Sequence, residues 1–188
     1  MKKVLFFYFF CICLSQAGVS QGINKDSVSF VNSYGMIDKD NPLSVLLANE
    51  LYHISVKAQT GKYPSFYGGS YIANDSIMVL LSNTASFADI MTIVTDASLP
   101  YVRLKSCKFS YGELLNVEKL LDEFYFKTSN RKVIEDTIGW SSWYISIPDN
   151  KILIRLKECT EKKIKYFKKY ISDSPVLLFT EADEYIHV

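Results

Sequence analysis

Hydrophobic and polar positions follow the same pattern twice along this chain. An aromatic run of alternating residues is followed by a polar turn, a mostly apolar run and a helix-start signal. The turns are Asn-Asp-Ser at residues 74–76 and Pro-Asp-Asn at residues 148–150. These residue types adopt turn dihedral angles that β-branched residues resist, so each copy predicts a β-hairpin. We therefore expect two similar lobes.

Helices and a third strand complete each predicted lobe. Ser110 and Glu113 have the spacing of a capping box, and Ser86 is likewise followed three residues later by Asp89. Strand-like runs at residues 101–109 and 176–180 close the two copies, and each lobe is predicted to be β-β-α-β. The fold class is α+β, with small antiparallel sheets each faced by helices. Further helices are predicted from Asn41-Pro42 and from about Thr160, and the glycines at 68 and 69 indicate a bulge or a close backbone contact.

The first twenty residues have the organisation of a signal peptide. Lys2-Lys3 precedes an apolar run over residues 4–14, and small residues offer cleavage after Ala17 or Ser20. The apolar run is shorter than the roughly 20 residues that a membrane span needs, so an uncleaved anchor is the less favoured alternative. We expect a secreted or periplasmic protein with no membrane span after cleavage. The predicted parts are a signal peptide (1–20), a flexible leader (21–40), an N-terminal lobe (41–127) and a C-terminal lobe with an acidic tail (128–188).

The composition and net charge do not favour nucleic acid or anionic lipid as partners. Loss of residues 1–20 leaves 19 of the 21 Lys and Arg residues against all 20 Asp and Glu residues, so the mature charge is −1. Nothing in that balance attracts nucleic acid or anionic lipid. Cys107 and Cys159 remain in the mature chain, and the sequence leaves open whether they form a disulfide. The lysines between residues 157 and 169 surround a helix, which is typical of a solvated surface.

Few residues in the sequence suggest catalysis or metal binding. Only His53 and His187 are available for acid–base work at neutral pH. Glu50 and His53 share one predicted helix, but that helix has no second histidine, and the chain contains neither a Cys-x-x-Cys nor a Gly-x-Ser-x-Gly motif. We expect no catalytic residues, no metal ligands and no cofactor, and we predict that the protein is not an enzyme.

The two copies also resemble a known family. Residues 142–154 resemble the Ser-Trp-Tyr, turn and branched-strand signature in the pro-regions of alpha-lytic protease and the streptogrisins. Residues 68–81 and 109–114 are similar to the preceding lobe of those pro-regions, and the likeness extends over roughly residues 43–180. The resemblance implies a folding catalyst and inhibitor whose C-terminal lobe adds a sheet edge to the protease. No protease domain follows Val188 in this sequence, so we expect a stand-alone relative.

The expected function is that of a non-enzymatic protein-binding module. It would be a trans-acting protease inhibitor or folding assistant whose partner is a protein, a secreted serine protease being one such partner. The alternative is a structural or adaptor module without a protease partner. Aromatic residues are enriched in interface hot spots, but they also pack under helices. We favour packing for Trp143 and give packing and partner contact equal weight for Trp140. The predicted partner contacts are Trp140, Trp143, Val176, Leu178, Phe179 and Tyr185.

Overall fold

The computed structural model describes residues 40–182. The predicted signal peptide, nearly all of the predicted leader and residues 183–188, which include Tyr185, lie outside the described residues. The helices are α1 (Pro42–Thr60), α2 (Phe87–Ile93), α3 (Tyr111–Tyr125) and α4 (Glu161–Tyr170). The strands are β1 (Tyr67–Ala73), β2 (Ser76–Leu81), β3 (Val102–Ser106), β4 (Trp140–Ser146), β5 (Lys151–Leu156) and β6 (Leu177–Glu181). Short 3-10 turns span Leu99–Tyr101 and Thr128–Asn130, and a π-helix spans Val133–Ile138.

The predicted helix starts are confirmed. The side chains of Asn41, Ser86, Ser110 and Thr160 each accept a hydrogen bond from a backbone N–H in the first turn of their helix. Ser86 and Ser110 belong to complete capping boxes, in which the acidic residue of the first turn also accepts from the serine backbone N–H. These bonds satisfy amides that have no partner within the helix.

Each lobe contains one three-stranded mixed sheet. The orders are β1-β2-β3 and β4-β5-β6, with the hairpin strands antiparallel and the third strand parallel to the second. The α+β class and the β-β-α-β order of the lobes are confirmed. The expectation of wholly antiparallel sheets is wrong, because a helical crossover brings the third strand back in the direction of the second.

A β-bulge lies at the same place in both hairpins. The pairing register shifts between Tyr67 and Gly69 in β1 and between Trp140 and Ser142 in β4. The close backbone contact predicted for the glycines is also present, since a Cβ on Gly68 would lie 2.4 Å from the Cys107 sulfur. Gly69 has φ +115°, a conformation open to glycine but strained for other residues.

Each lobe has its own hydrophobic core. The N-terminal core lies between α1, α2 and the β1–β2 hairpin, and the C-terminal core lies between α3, α4 and the β4–β5 hairpin. The helix α3 packs into the C-terminal core, although it precedes the predicted boundary at residues 127 and 128. Leu114 and Leu121 of α3 are fully buried in the C-terminal core, because the apolar stripe of α3 faces β4 and β5. Each lobe is therefore α-β-β-α-β.

The end of the second hairpin joins the two lobes. Ile147 is buried against Tyr71 and Leu80 of the first sheet. Beside it, the side chain of Asn150 makes three hydrogen bonds to the backbone of Lys108 and Phe109, at 2.8 to 3.1 Å.

Two further expectations concern the cysteines and the membrane. Cys107 and Cys159 are both free thiols. No helix within residues 40–182 is long and apolar enough to cross a membrane.

Candidate protein-interaction site

Two of the predicted partner contacts belong to the core. Trp140 and Val176 are each only 3% exposed. The Trp140 ring packs against Trp143 and Phe167, with ring centroids 4.9 Å away in both cases. Both side chains belong to the C-terminal core cluster, so a partner contact through Trp140 or Val176 stays a prediction that their burial does not favour.

The other described candidates lie at or near the surface. Trp143 is half-buried, and its side chain hydrogen-bonds the carboxylate of Asp122. That bond lowers the pKa of Asp122, although burial, the larger effect, leaves it raised overall. Phe179 is half-buried with its ring 5.1 Å from that of Phe167, whereas Leu178 is 41% exposed.

The outer edge of β6 presents unpaired backbone groups. Within residues 40–182, β6 pairs with β5 alone. The Val176 carbonyl accepts from the Ile152 N–H at 2.9 Å, and the Ala182 N–H donates to the Leu156 carbonyl at 2.7 Å. Backbone groups along a strand alternate in direction. The N–H and C=O groups of the even-numbered residues of β6 therefore point toward β5. The residues whose N–H and C=O groups point outward are Phe179 and Glu181.

A row of apolar side chains crosses the open face of the same sheet. Tyr144 of β4 pairs with Leu153 of β5, which pairs with Leu178 of β6. Tyr144 is 48% exposed and Leu178 is 41% exposed. We call these three residues the Tyr144 row. Its neighbours on that face are polar and comprise Ser142, Arg155 and Thr180 on one side and Ser146 and Lys151 on the other.

The equivalent row in the N-terminal lobe is covered at Tyr71 and Met78 but exposed at Arg103. It consists of Tyr71, Met78 and Arg103, joined by the corresponding pairings of β1, β2 and β3. Tyr71 is only 9% exposed because Ile147 packs on this face. The same position of the repeated fold therefore receives an apolar side chain in the first lobe and is open to solvent in the second.

The edge strands also differ in charge. β3 forms the corresponding edge of the N-terminal sheet and carries the exposed Arg103 and Lys105. Charged residues on an edge strand oppose pairing with another chain. β6 is uncharged from Leu177 to Thr180 and carries only Glu181. Of the two edges, β6 is therefore the better suited to pair with an extended segment.

No group of three or more His, Cys, Asp or Glu side chains within residues 40–182 is arranged to hold a metal ion. Glu50 accepts a hydrogen bond from the Thr95 hydroxyl at 2.9 Å, and His53 is exposed with its ring 5.9 Å from that of Tyr52. On α3, burial and the nearby Asp122 raise the pKa of Glu118 to about 7.

Sequence reasoning missed Leu153, and it offered Tyr144 only as one of several hairpin aromatics that could contact a partner or pack under the helices. Tyr144 and Leu153 alternate with core residues along their strands, which placed them on the face away from the helices. Their alignment with Leu178 depends on the parallel register between β5 and β6, and no local signal in the sequence encodes that register.

Comparisons with known proteins give one family match, which lies in the C-terminal part of the chain. Residues 112–182 match the family model of a Pro-like C-terminal domain. The matched segment covers nearly all of α3 and continues through β6, so it contains the β6 edge and the Tyr144 row. It is similar to a pro-region-like domain, which confirms the predicted resemblance at that level but does not specify the alpha-lytic protease type. No curated protein shows a significant match to this chain.

Proposed function

We propose that the protein is a non-enzymatic protein-binding module that adds an extended segment of a partner to the outer edge of β6. One observation carries this proposal: an edge strand with outward-facing backbone groups at Phe179 and Glu181 lies within the propeptide-like segment. In strand addition, main-chain hydrogen bonds supply affinity while alternate side chains occupy pockets. The partner is thus recognised mainly through its backbone.

The Tyr144 row supplies the side-chain contacts in this proposal. Its neighbours are polar, so an apolar partner residue would bury surface only along the row. The N-terminal lobe supports this role, because Ile147 packs on the equivalent row there. We expect the partner to present a branched or aromatic side chain beside the segment that pairs with β6.

We further propose that the partner is a secreted serine protease, for which the protein acts as an inhibitor or folding assistant. The support is the likeness of residues 112–182 to a Pro-like C-terminal domain and the signal-peptide pattern of residues 1–20. Intact-mass measurement of the secreted protein tests export, and we expect a mass that begins after Ala17 or Ser20. A mass that retains residues 1–14 contradicts it.

Paired proline substitutions test the β6 edge. In Glu181→Pro, the lost N–H points outward and the side chain is exposed, so the fold should persist because proline is tolerated at edge positions. Leu104→Pro is the matched control. Leu104 is 54% exposed on β3, where the Cys107 N–H bonds the Leu81 carbonyl, so the Leu104 N–H also points outward.

Inhibition and binding of alpha-lytic protease and a streptogrisin are the measurements. We expect Glu181→Pro to weaken binding about tenfold or more, because it removes a main-chain hydrogen bond and places a ring at the edge. Leu104→Pro should bind as the unsubstituted chain does. If the unsubstituted chain neither binds nor inhibits these proteases, the protease partner is wrong and the structural or adaptor alternative replaces it. Equal effects of the two prolines would instead exclude the β6 edge as the contact.

A further inference from the structure

A shallow cavity of about 210 Å³ lies between the two lobes. One wall is formed by the segment that follows β3, and the other by the turn between β4 and β5. Residues 105–109 and 148–151 supply most of the lining, together with Leu80. A ligand held here would contact both lobes at once.

Three lysines line this cavity. Lys105 is near the end of β3, Lys108 precedes α3, and Lys151 begins β5. The ammonium groups of Lys108 and Lys151 lie 5.4 Å and 4.7 Å from the centroid of the same ring, that of the buried Phe109. Ring contact favours each cation, so the Phe109 ring keeps two ammonium groups at this cavity.

The lysines keep donors for a ligand. The Lys105 ammonium donates to the Pro148 carbonyl at 3.2 Å, and the Lys151 ammonium donates to the Pro175 carbonyl at 2.7 Å. An ammonium group has three N–H donors, so each of these retains two. The bonds to the carbonyls fix the direction of both side chains, which reduces the entropy lost when an anion binds.

The anions near the cavity do not balance this charge. Asp149 is the carboxylate in the lining, and it accepts a hydrogen bond from the Ser146 hydroxyl at 2.5 Å. Glu113 is close enough to raise the pKa of the Cys107 thiol, but its carboxylate is bound in the capping box of α3. The Cys107 thiol is half-buried, and burial is the main cause of its raised pKa, so it adds no negative charge at neutral pH.

We propose that the cavity between the lobes binds a small oxyanion carrying two or more negative charges. Lys105, Lys108 and Lys151 would hold it by charge-assisted hydrogen bonds, the strongest type that ammonium groups form. The volume corresponds to about seven water molecules at roughly 30 Å³ each, which accommodates a phosphate or a tricarboxylate. Because the anion contacts both lobes, it stabilises their packing and raises the temperature of unfolding. This proposal is independent of the function proposed for the β6 edge.

Calorimetric titration of the purified chain with phosphate, citrate and chloride at matched ionic strength tests the proposal. Lys108→Met and Lys151→Met remove two cavity ammonium groups, and Lys165→Met removes an exposed one on α4 as the control. We expect each cavity variant to weaken binding of the preferred anion about tenfold or more. The control should change it less than about twofold, in keeping with a screened surface charge.

The two anions distinguish the source of the oxyanion. Tighter phosphate binding identifies a phosphate-bearing ligand, and tighter citrate binding identifies a carboxylate-bearing one. The proposal is overturned if neither binds more tightly than chloride, or if Lys165→Met weakens binding as much as the cavity variants do. The Lys151 ammonium also donates to the Pro175 carbonyl, so Lys151→Met can disturb the fold. If its circular dichroism spectrum changes, the loss of anion binding is judged from Lys108→Met alone.

Discussion

Asn150 is the residue whose substitution tests most directly how the segment between β3 and α3 is held. It is 7% exposed and has φ +53°. Its side-chain oxygen accepts from the backbone N–H groups of Lys108 at 3.1 Å and Phe109 at 2.8 Å, and its side-chain nitrogen donates to the Phe109 carbonyl at 2.8 Å. One amide group thus fixes the start of α3 against the second hairpin.

Asn150→Gly removes these bonds and leaves the backbone unstrained. Glycine adopts positive φ without cost, so the change in stability comes from the side chain. Three hydrogen bonds at about 1 kcal/mol each give a loss of about 3 kcal/mol. Domains of this size lose roughly 2 to 4 °C of midpoint per kcal/mol, so the midpoint should fall by roughly 6 to 12 °C. Asn150→Ala should lower the free energy of unfolding by about 1 kcal/mol more than Asn150→Gly does, because alanine resists the left-handed conformation.

Asn74→Gly provides the matched control. Asn74 occupies the turn of the other hairpin, has φ +48° and is exposed. Its replacement adds the same flexibility to the unfolded chain without removing a buried contact. Thermal and urea unfolding followed by circular dichroism give the comparison. If Asn150→Gly and Asn74→Gly unfold at the same midpoint, the three hydrogen bonds do not stabilise the start of α3 against the second hairpin and the reasoning is refuted.

Two further predictions concern a buried carboxyl group and a glycine. Burial raises the pKa of Glu118 from 4.5 to about 7, so the folded chain binds the proton more tightly and loses stability as pH rises through that interval. In urea unfolding, the free energy of unfolding of Glu118→Gln should equal that of the unsubstituted chain near pH 4 and exceed it by about 1 to 3 kcal/mol at pH 8. Glu123→Gln, at an exposed position, should show no such difference. Gly69→Ala should destabilise by about 1 to 3 kcal/mol, because its Cβ would lie 2.7 Å from Ile147. Adding Ile147→Ala should cost less than the sum of the single losses, and strict additivity would contradict the contact.

Features encoded within a few residues could be predicted from the sequence. The capping box of Ser110 and Glu113 closes within one helical turn, so residue spacing alone predicts it. The hairpins are equally local, since Asn74 and Asp75 take the positive φ angles that a tight turn requires.

The burial of Trp140 has a specific physical cause. Simple alternation places residues 140 and 143 on opposite faces of a strand. The bulge between Trp140 and Ser142 adds a residue and reverses that alternation, so both tryptophans face the helices. The sequence indicated a bulge at Gly68 and Gly69 but carried no glycine at the equivalent place in the second copy.

The contacts between the lobes had no sequence signal. Asn150 bonds residues that precede it by 41 and 42 positions, and the lysines around the cavity come from two separate segments, residues 105–109 and 148–151. Their proximity follows from the packing of Ile147 on the first sheet, which depends on the complete fold and not on any short pattern.

The parallel pairing of β6 also has a consequence for the order of folding. The β4–β5 hairpin closes over a short turn, whereas β6 joins β5 only after the chain has passed through α4. Hairpins form within microseconds, and contacts between residues far apart in the chain form later because longer loops must close first. β6 is therefore expected to dock last and to detach first in local unfolding. The strand that offers its edge to a partner is then also the strand of its sheet that detaches most readily. A bound partner would therefore stabilise the pairing of β6 with β5.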